Sequence, residues 1–150
     1  MSAAQQLKFF ASKRFVVVGA SADPSKFGNK VFQWYLNARL PVTGVNPSQT
    51  EVLGQPTVAS FADAVAAASE ADSGTTAISV SVITPPKITA ALIAQIAQFG
   101  SAVQAVWFQP GSYDAVTLKM AQEVVPTVIA DGWCVLVDGD ASLAQAGSSL

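Results

Sequence analysis

Phe15-Val16-Val17-Val18-Gly19-Ala20-Ser21-Ala22-Asp23-Pro24-Ser25-Lys26-Phe27-Gly28 runs from an unbroken apolar segment through a glycine into a small polar loop and out into a helical pattern. A short apolar run rich in β-branched residues predicts a strand buried on both faces. Gly19 lets the backbone turn sharply at the carboxyl end of that strand. The helix that follows offers unpaired N–H groups and a partial positive charge at its start, so the turn suits an anion such as a phosphate. Plain βα-turn geometry with no ligand is the competing reading of Gly19, because glycine turns recur throughout α/β folds.

Outward from this turn, apolar runs alternate with helical stripes, which predicts βαβ units and a mostly parallel sheet. Strands are expected near Phe15 to Gly19, Pro41 to Val45, Ala77 to Val82, Ala105 to Phe108 and Thr127 to Ala130, with the first at the topological switch point. The stripes Phe27, Val31, Trp34, Tyr35, Ala38; Ile88, Leu92, Ile96, Phe99; and Tyr113, Val116, Met120, Val124 recur at helical spacing and should face the sheet. Ser60-Phe61-Ala62-Asp63 has the spacing of a capping box. Pro86 suits a first helical turn, Ser69 to Thr76 reads as a loop, and Asp131-Gly132 can turn the chain back into an apolar segment from Trp133 to Val137.

Composition narrows the function. The chain has 150 residues, enough for one domain spanning 1–150 whose first 13 residues form a helix or arm. Hydrophobic residues make up 51% and charged residues 12%, which fits a sheet covered on both sides and argues against disorder. Apolar runs stop well short of the ~18 to 20 residues a spanning helix needs. The first residues lack the apolar core of a signal peptide, so a cytoplasmic protein with no membrane partner is expected. Lys8, Lys13, Arg14, Lys26, Lys30 and Arg39 cluster around the turn, but the net charge of −2 offers no broad basic face for nucleic acid. There is no histidine, which removes the commonest proton carrier near neutral pH and histidine-bearing metal sites. Asp23, Asp131, Asp138 and Asp140 could act as bases, yet nothing pairs them with a nucleophile or at metal-ligand spacing. No catalytic residue and no metal ligand is therefore assigned. Cys134, flanked by apolar residues, reads as core, as do Trp107 and Trp133.

Ligands of open α/β sheets bind beyond the carboxyl ends of the strands. Those ends are Gly19-Ala20-Ser21, Val45-Asn46-Pro47, Ile83-Thr84-Pro85-Pro86 and Gln109-Pro110-Gly111, all small, neutral and backbone-exposing. The first departs from G-x-G-x-x-G at Ser21 and Pro24, and the second ends in Asn46 where an NAD site would carry Asp or Glu. An NAD(P)-binding oxidoreductase or redox sensor is the disfavoured alternative. Thr84-Pro85-Pro86 reads equally as a helix start or a ligand wall.

Val18-Gly19-Ala20-Ser21, Val45-Asn46-Pro47, Thr84-Pro85-Pro86, Trp107-Phe108-Gln109-Pro110-Gly111 and Cys134-Val135-Leu136-Val137-Asp138-Gly139, in this order, resemble the CoA-binding domain family. The resemblance covers the chain from Arg14 onward. It implies a three-layer Rossmann-like α/β fold, similar to the N-terminal domain of the succinyl-CoA synthetase α subunit, with a five-stranded, mostly parallel sheet and helices on both faces. It also implies a CoA or acyl-CoA ligand. Gly19, Ala20 and Ser21 would approach the phosphates, flanked by Lys26 and Phe27. Asn46 and Pro47 would lie beside the adenosine, and Thr84, Pro85 and Pro86 would pack on the adenine or the start of the pantetheine arm. Ligase-type relatives carry a lysine just after the second-strand turn, where this chain has Ser48 and Gln49. The synthetase's phosphohistidine belongs to a second domain, and no histidine here replaces it, so binding without catalysis is expected.

Overall fold

The computed structural model describes residues 2–71 and 77–148, so the end of the loop expected from Ser69 to Thr76 lies outside the described residues. The chain begins with helix α1 (Ser2–Phe10), followed by β1 (Arg14–Val18), α2 (Phe27–Asn37) and β2 (Val42–Val45). A small hairpin of β3 (Glu51–Val52) and β4 (Gln55–Val58) leads into α3 (Phe61–Ala71). Then come β5 (Ile78–Val82), α4 (Pro86–Ala97), β6 (Val103–Phe108), α5 (Ala115–Val124), β7 (Thr127–Ile129) and α6 (Val135–Ser148).

Among the described residues the sheet has seven strands in the order β3-β4-β2-β1-β5-β6-β7, not the five expected. Every pairing is parallel except that of β3 with β4. The five expected strands form its middle and one side, and the hairpin extends it beyond β2. From β1 the chain winds outward through β2 to β4, then returns to place β5 on the other flank of β1, so the strand order reverses between β1 and β5. That reversal opens a crevice at the carboxyl ends of the two strands.

Alternation along the strands fills two cores. Phe15 and Val17 of β1 join Phe9, Phe32, Tyr35 and Trp107 on the face covered by α1, α2 and α6. Val16 and Val18 join Phe61, Val80, Leu92 and Phe108 on the face covered by α3, α4 and α5. On the aromatic face β5 contributes serines, whose small size leaves room for the rings. Ser79 Oγ donates to the Phe9 carbonyl at 2.7 Å, and Ser81 Oγ shares a 2.6 Å hydrogen bond with the Tyr35 hydroxyl. Burial raises the Tyr35 phenol above its ordinary pKa, with the Ser81 hydrogen bond opposing that shift.

Several helices start as expected and present their faces a little differently. Pro86 opens α4, and Ser60 Oγ accepts the Asp63 N–H at 3.1 Å, one arm of the anticipated capping box. A complete box appears at α5, where Asp114 accepts the Thr117 N–H and Thr117 returns its hydroxyl to the Asp114 N–H. In α2, Val31, Phe32 and Tyr35 are buried, whereas Phe27, the first residue of the helix, is 58% exposed. Ile88 of α4 and Val116 of α5 likewise point away, and the buried positions of α5 are Thr117 and Ala121. The segment from Trp133 to Val137 does not run on as a returning apolar stretch. Asp131 and Gly132 make the turn in positive φ, and α6 begins at Val135.

Replacing Tyr35 by Phe strands the buried Ser81 hydroxyl, and the expected loss is about 1 to 3 kcal/mol in urea unfolding. Tyr35→Phe combined with Ser81→Ala removes both partners and should recover most of it. A double variant as unstable as the single one would contradict the role given to this pair.

Candidate functional site

The crevice is organised by the loop between β1 and α2. Gly19 sits at φ +103°, a conformation that L side chains rarely adopt, and a Cβ there would press on Ile83 and Thr84 at 3.3 to 3.5 Å. Gly28, in the first turn of α2, is the tighter constraint: a Cβ would fall 1.9 Å from the Gly19 carbonyl oxygen. The helix therefore lies directly on the loop. This is the job of the last glycine in a dinucleotide fingerprint, close helix–strand packing, performed here four residues beyond Pro24. The fingerprint spacing conceals Gly28.

A web of short polar contacts holds the loop. Asp23 Oδ1 accepts from the Ser25 hydroxyl at 2.7 Å and the Ser25 N–H at 2.9 Å. These bonds, with a smaller contribution from the Lys26 charge, hold the exposed Asp23 carboxyl below its ordinary range. Whatever order they confer is present above the unfolded carboxyl value and is lost as pH falls through the lowered one. Ser21 Oγ accepts the Asp23 N–H at 3.1 Å, and its carbonyl accepts from Asn29 Nδ2 at 3.0 Å.

The turn after β2 clamps the same loop from the other side. Asn46 Nδ2 donates to the Ala20 carbonyl at 2.8 Å, while Asn46 Oδ1 accepts from the N–H groups of Ser48 and Gln49 and from the Ser48 hydroxyl. Gln49 Oε1 accepts from the Ala22 N–H at 3.0 Å and from Asn46 Nδ2 at 3.1 Å. Gln49 thus ties the two loops together. Its role was not legible in the sequence.

Two cavities flank this loop. The larger, about 350 Å³, is floored by Gly19, Ala20 and Ser21, with Lys26, Asn46, Pro47 and Thr84 around it. Its outer wall comes from the start of α3, at Ser60 and Phe61, and from Ile88 and Leu92 of α4. The smaller, about 200 Å³, is lined by Phe27, Ile83, Pro85, Gln109, Pro110, Gly111 and Cys134. Of the thirteen residues expected at the site, seven therefore line the first cavity, five the second, and Pro86 neither. Pro86 serves the start of α4 instead. A third cavity, about 380 Å³ beside Lys8, Ser12 and Thr127, lies at the opposite ends of the strands.

Gln109 and Cys134 turn out to be linked. Gln109 is buried, its Oε1 accepts the Val135 N–H at 2.9 Å, and its Nε2 donates to Cys134 Sγ at 3.1 Å. Cys134 is half-buried in the cavity wall, not in the core as its apolar neighbours implied. Its N–H donates to Asp138 Oδ2 at 3.0 Å, just ahead of α6. Thr84 shares a 2.9 Å hydrogen bond with Thr89, a helix-start contact that coexists with its place in the cavity wall. Among the described residues no group of His, Cys, Asp or Glu could hold a metal, and no helix is long and apolar enough to cross a membrane.

A sheet whose order reverses beside a glycine turn, with cavities at the carboxyl strand ends, defines a Rossmann-like architecture. The sequence matches the CoA binding domain family over residues 13–140, and the chain belongs to that family. A solved hypothetical protein from Pyrococcus horikoshii is similar, with 25% identity, a TM-score of 0.76 and coverage of 95% of this chain and 93% of that one. A Thermus thermophilus protein shares the fold at 23% identity and TM-score 0.74, covering 95% and 99% of the two chains. A conserved hypothetical protein from Pyrococcus furiosus does so at 22% identity and TM-score 0.66, covering 84% and 98%. No curated protein matches the sequence.

Gly28→Ala tests the close packing. Helix propensity alone favours alanine by up to about 1 kcal/mol. The 1.9 Å overlap with a backbone oxygen should override it, giving a net loss of about 1 to 3 kcal/mol in urea unfolding. An equal or raised midpoint would show that α2 does not rest on the loop.

Proposed function

We propose that this protein binds CoA or an acyl-CoA at the carboxyl ends of the strands, as a single domain over residues 1–150, and catalyses no reaction of its own. The observation that carries the reading is the Gly19–Ser21 loop held against the start of α2, between two cavities that together span the crevice. The first turn of α2 supplies backbone N–H groups and the positive end of a helix dipole, with Lys26 beside them, which suits a diphosphate. Asn46, Pro47 and the start of α3 then bound the adenosine end in the larger cavity. The pantetheine arm runs past Thr84 and Pro85 toward Gln109, Pro110 and Gly111 in the smaller one.

An NAD reading is less well supported. Asn46 Oδ1 is already engaged by Ser48 and Gln49, so the end of β2 presents no carboxylate to a ribose diol. The absence of histidine and of paired acid and nucleophile supports binding without turnover. A net charge of −2 suits a small-molecule binder better than a nucleic-acid partner, and the reading takes the cytoplasm as its cell context.

Calorimetric titration of ligand-free protein with CoA, acetyl-CoA, NAD and NADP tests the reading, and CoA should bind where the nicotinamide cofactors do not. Ser21→Asp places a carboxylate at the phosphates and should abolish binding while circular dichroism stays unchanged. Lys26 is exposed, so Lys26→Ala should cost only about 0.2 to 1 kcal/mol, and less in high salt. Undiminished affinity in Ser21→Asp would move the phosphate site elsewhere.

A further inference from the structure

We propose that the smaller cavity is a chamber for the acyl group of a short, uncharged acyl-CoA, and that it turns away acyl groups ending in a carboxylate. The inference rests on the CoA reading above and adds which thioesters the site accepts. Adjacent residues connect the two cavities: Lys26 and Thr84 border the larger, Phe27 and Pro85 the smaller. A ligand whose phosphates lie on Gly19–Ser21 thus has the smaller cavity within the continuation of the crevice, where its thioester end would enter.

The chemistry of the chamber selects for apolar cargo. Phe27, Ile83, Pro85 and Pro110 present carbon, and among the described residues none that lines the cavity carries a charge. Gln109 is the one carboxamide there, with its Oε1 engaged by the Val135 N–H and one Nε2 hydrogen by Cys134 Sγ. At the start of α6 two N–H groups are already engaged, that of Val135 by Gln109 and that of Cys134 by Asp138. Asp138 also puts a negative charge behind that turn. Lys30 reaches the rim only through Phe27, with its ammonium 5.8 Å from the ring centroid, and does not line the cavity. A carboxylate carried into this space would lose its water without gaining a cationic partner, which is costly. An aliphatic chain would lose nothing.

Size sets the upper limit. An apolar cavity of roughly 150 Å³ accommodates a benzene-sized group. The chamber, at about 200 Å³, therefore takes an acyl chain of similar bulk, on the order of six carbons.

The test is calorimetric titration of the full chain with free CoA and with acetyl-, butyryl-, hexanoyl-, decanoyl- and succinyl-CoA. Burying one methylene is worth roughly fourfold in affinity. Butyryl-CoA should therefore bind about ten- to twentyfold tighter than acetyl-CoA, with little further gain from hexanoyl to decanoyl. Succinyl-CoA, with the same four-carbon chain ending in a carboxylate, should bind at least about tenfold weaker than butyryl-CoA. Cys134→Phe fills the chamber and should erase the butyryl advantage over acetyl; Cys134→Leu serves if the ring prevents folding. Succinyl-CoA within threefold of butyryl-CoA would overturn the proposal, as would a butyryl advantage that survives the filled chamber. Failure of free CoA and every thioester to bind would instead overturn the CoA reading, and the chamber with it.

Discussion

A carbonyl oxygen and a glycine in contact set the geometry on which this structure depends. The first turn of α2 lies so close to the Gly19 carbonyl that no side chain fits between them at Gly28. That approach brings the positive end of the helix to the strand end and leaves Ala20 and Ser21 as the floor of a cavity. It also explains the apparatus around the loop. Asn29, Asn46 and Gln49 each spend a side-chain amide on its backbone, at Ser21, Ala20 and Ala22 respectively. A loop pressed against a helix cannot take its hydrogen bonds from a sheet ladder, so neighbouring side chains supply them.

The second anchor of the crevice works by the same logic. Gln109 is carried to the end of β6, where its carboxamide joins the strand end to the start of α6 and to the Cys134 thiol. Trp107, two residues earlier on the same strand, donates its indole N–H to the Trp133 carbonyl at 3.0 Å. Strand β6 therefore positions the turn before α6 twice, once from each core-facing and crevice-facing side chain. Moving Cys134 in the cavity wall would disturb a buried carboxamide.

Much of this was legible in the residues, and the gaps have physical causes. Phe15-Val16-Val17-Val18-Gly19 declares a strand and turn because composition, length and punctuation agree. The β3–β4 hairpin was missed because its strands are only two and four residues long and contain Pro56, leaving no period to read. Gly28 is hidden from motif spacing because the loop is long enough to bring a later glycine to the same place. Cys134 looked like core among apolar neighbours, yet α6 starts one residue later and that phase turns its thiol toward the cavity. Phe27 keeps the helical stripe but lines the smaller cavity and is exposed, so periodicity alone does not give its burial.

The unanticipated hairpin also bears on how the protein behaves in a crowded solution. A parallel strand left at the end of a sheet is a row of unpaired donors and acceptors, a template for another chain. Here β2 is covered by β4, and β4 by a β3 of only two residues whose Glu51 is exposed, with Pro56 removing one donor opposite it. The far margin is β7, three residues long and preceded by Pro126. Both margins are too short and too interrupted to zip onto a neighbour. A chain with so much β-branched, weakly charged strand sequence thereby keeps its most self-adhesive segments in the middle of the sheet, out of reach of its own copies.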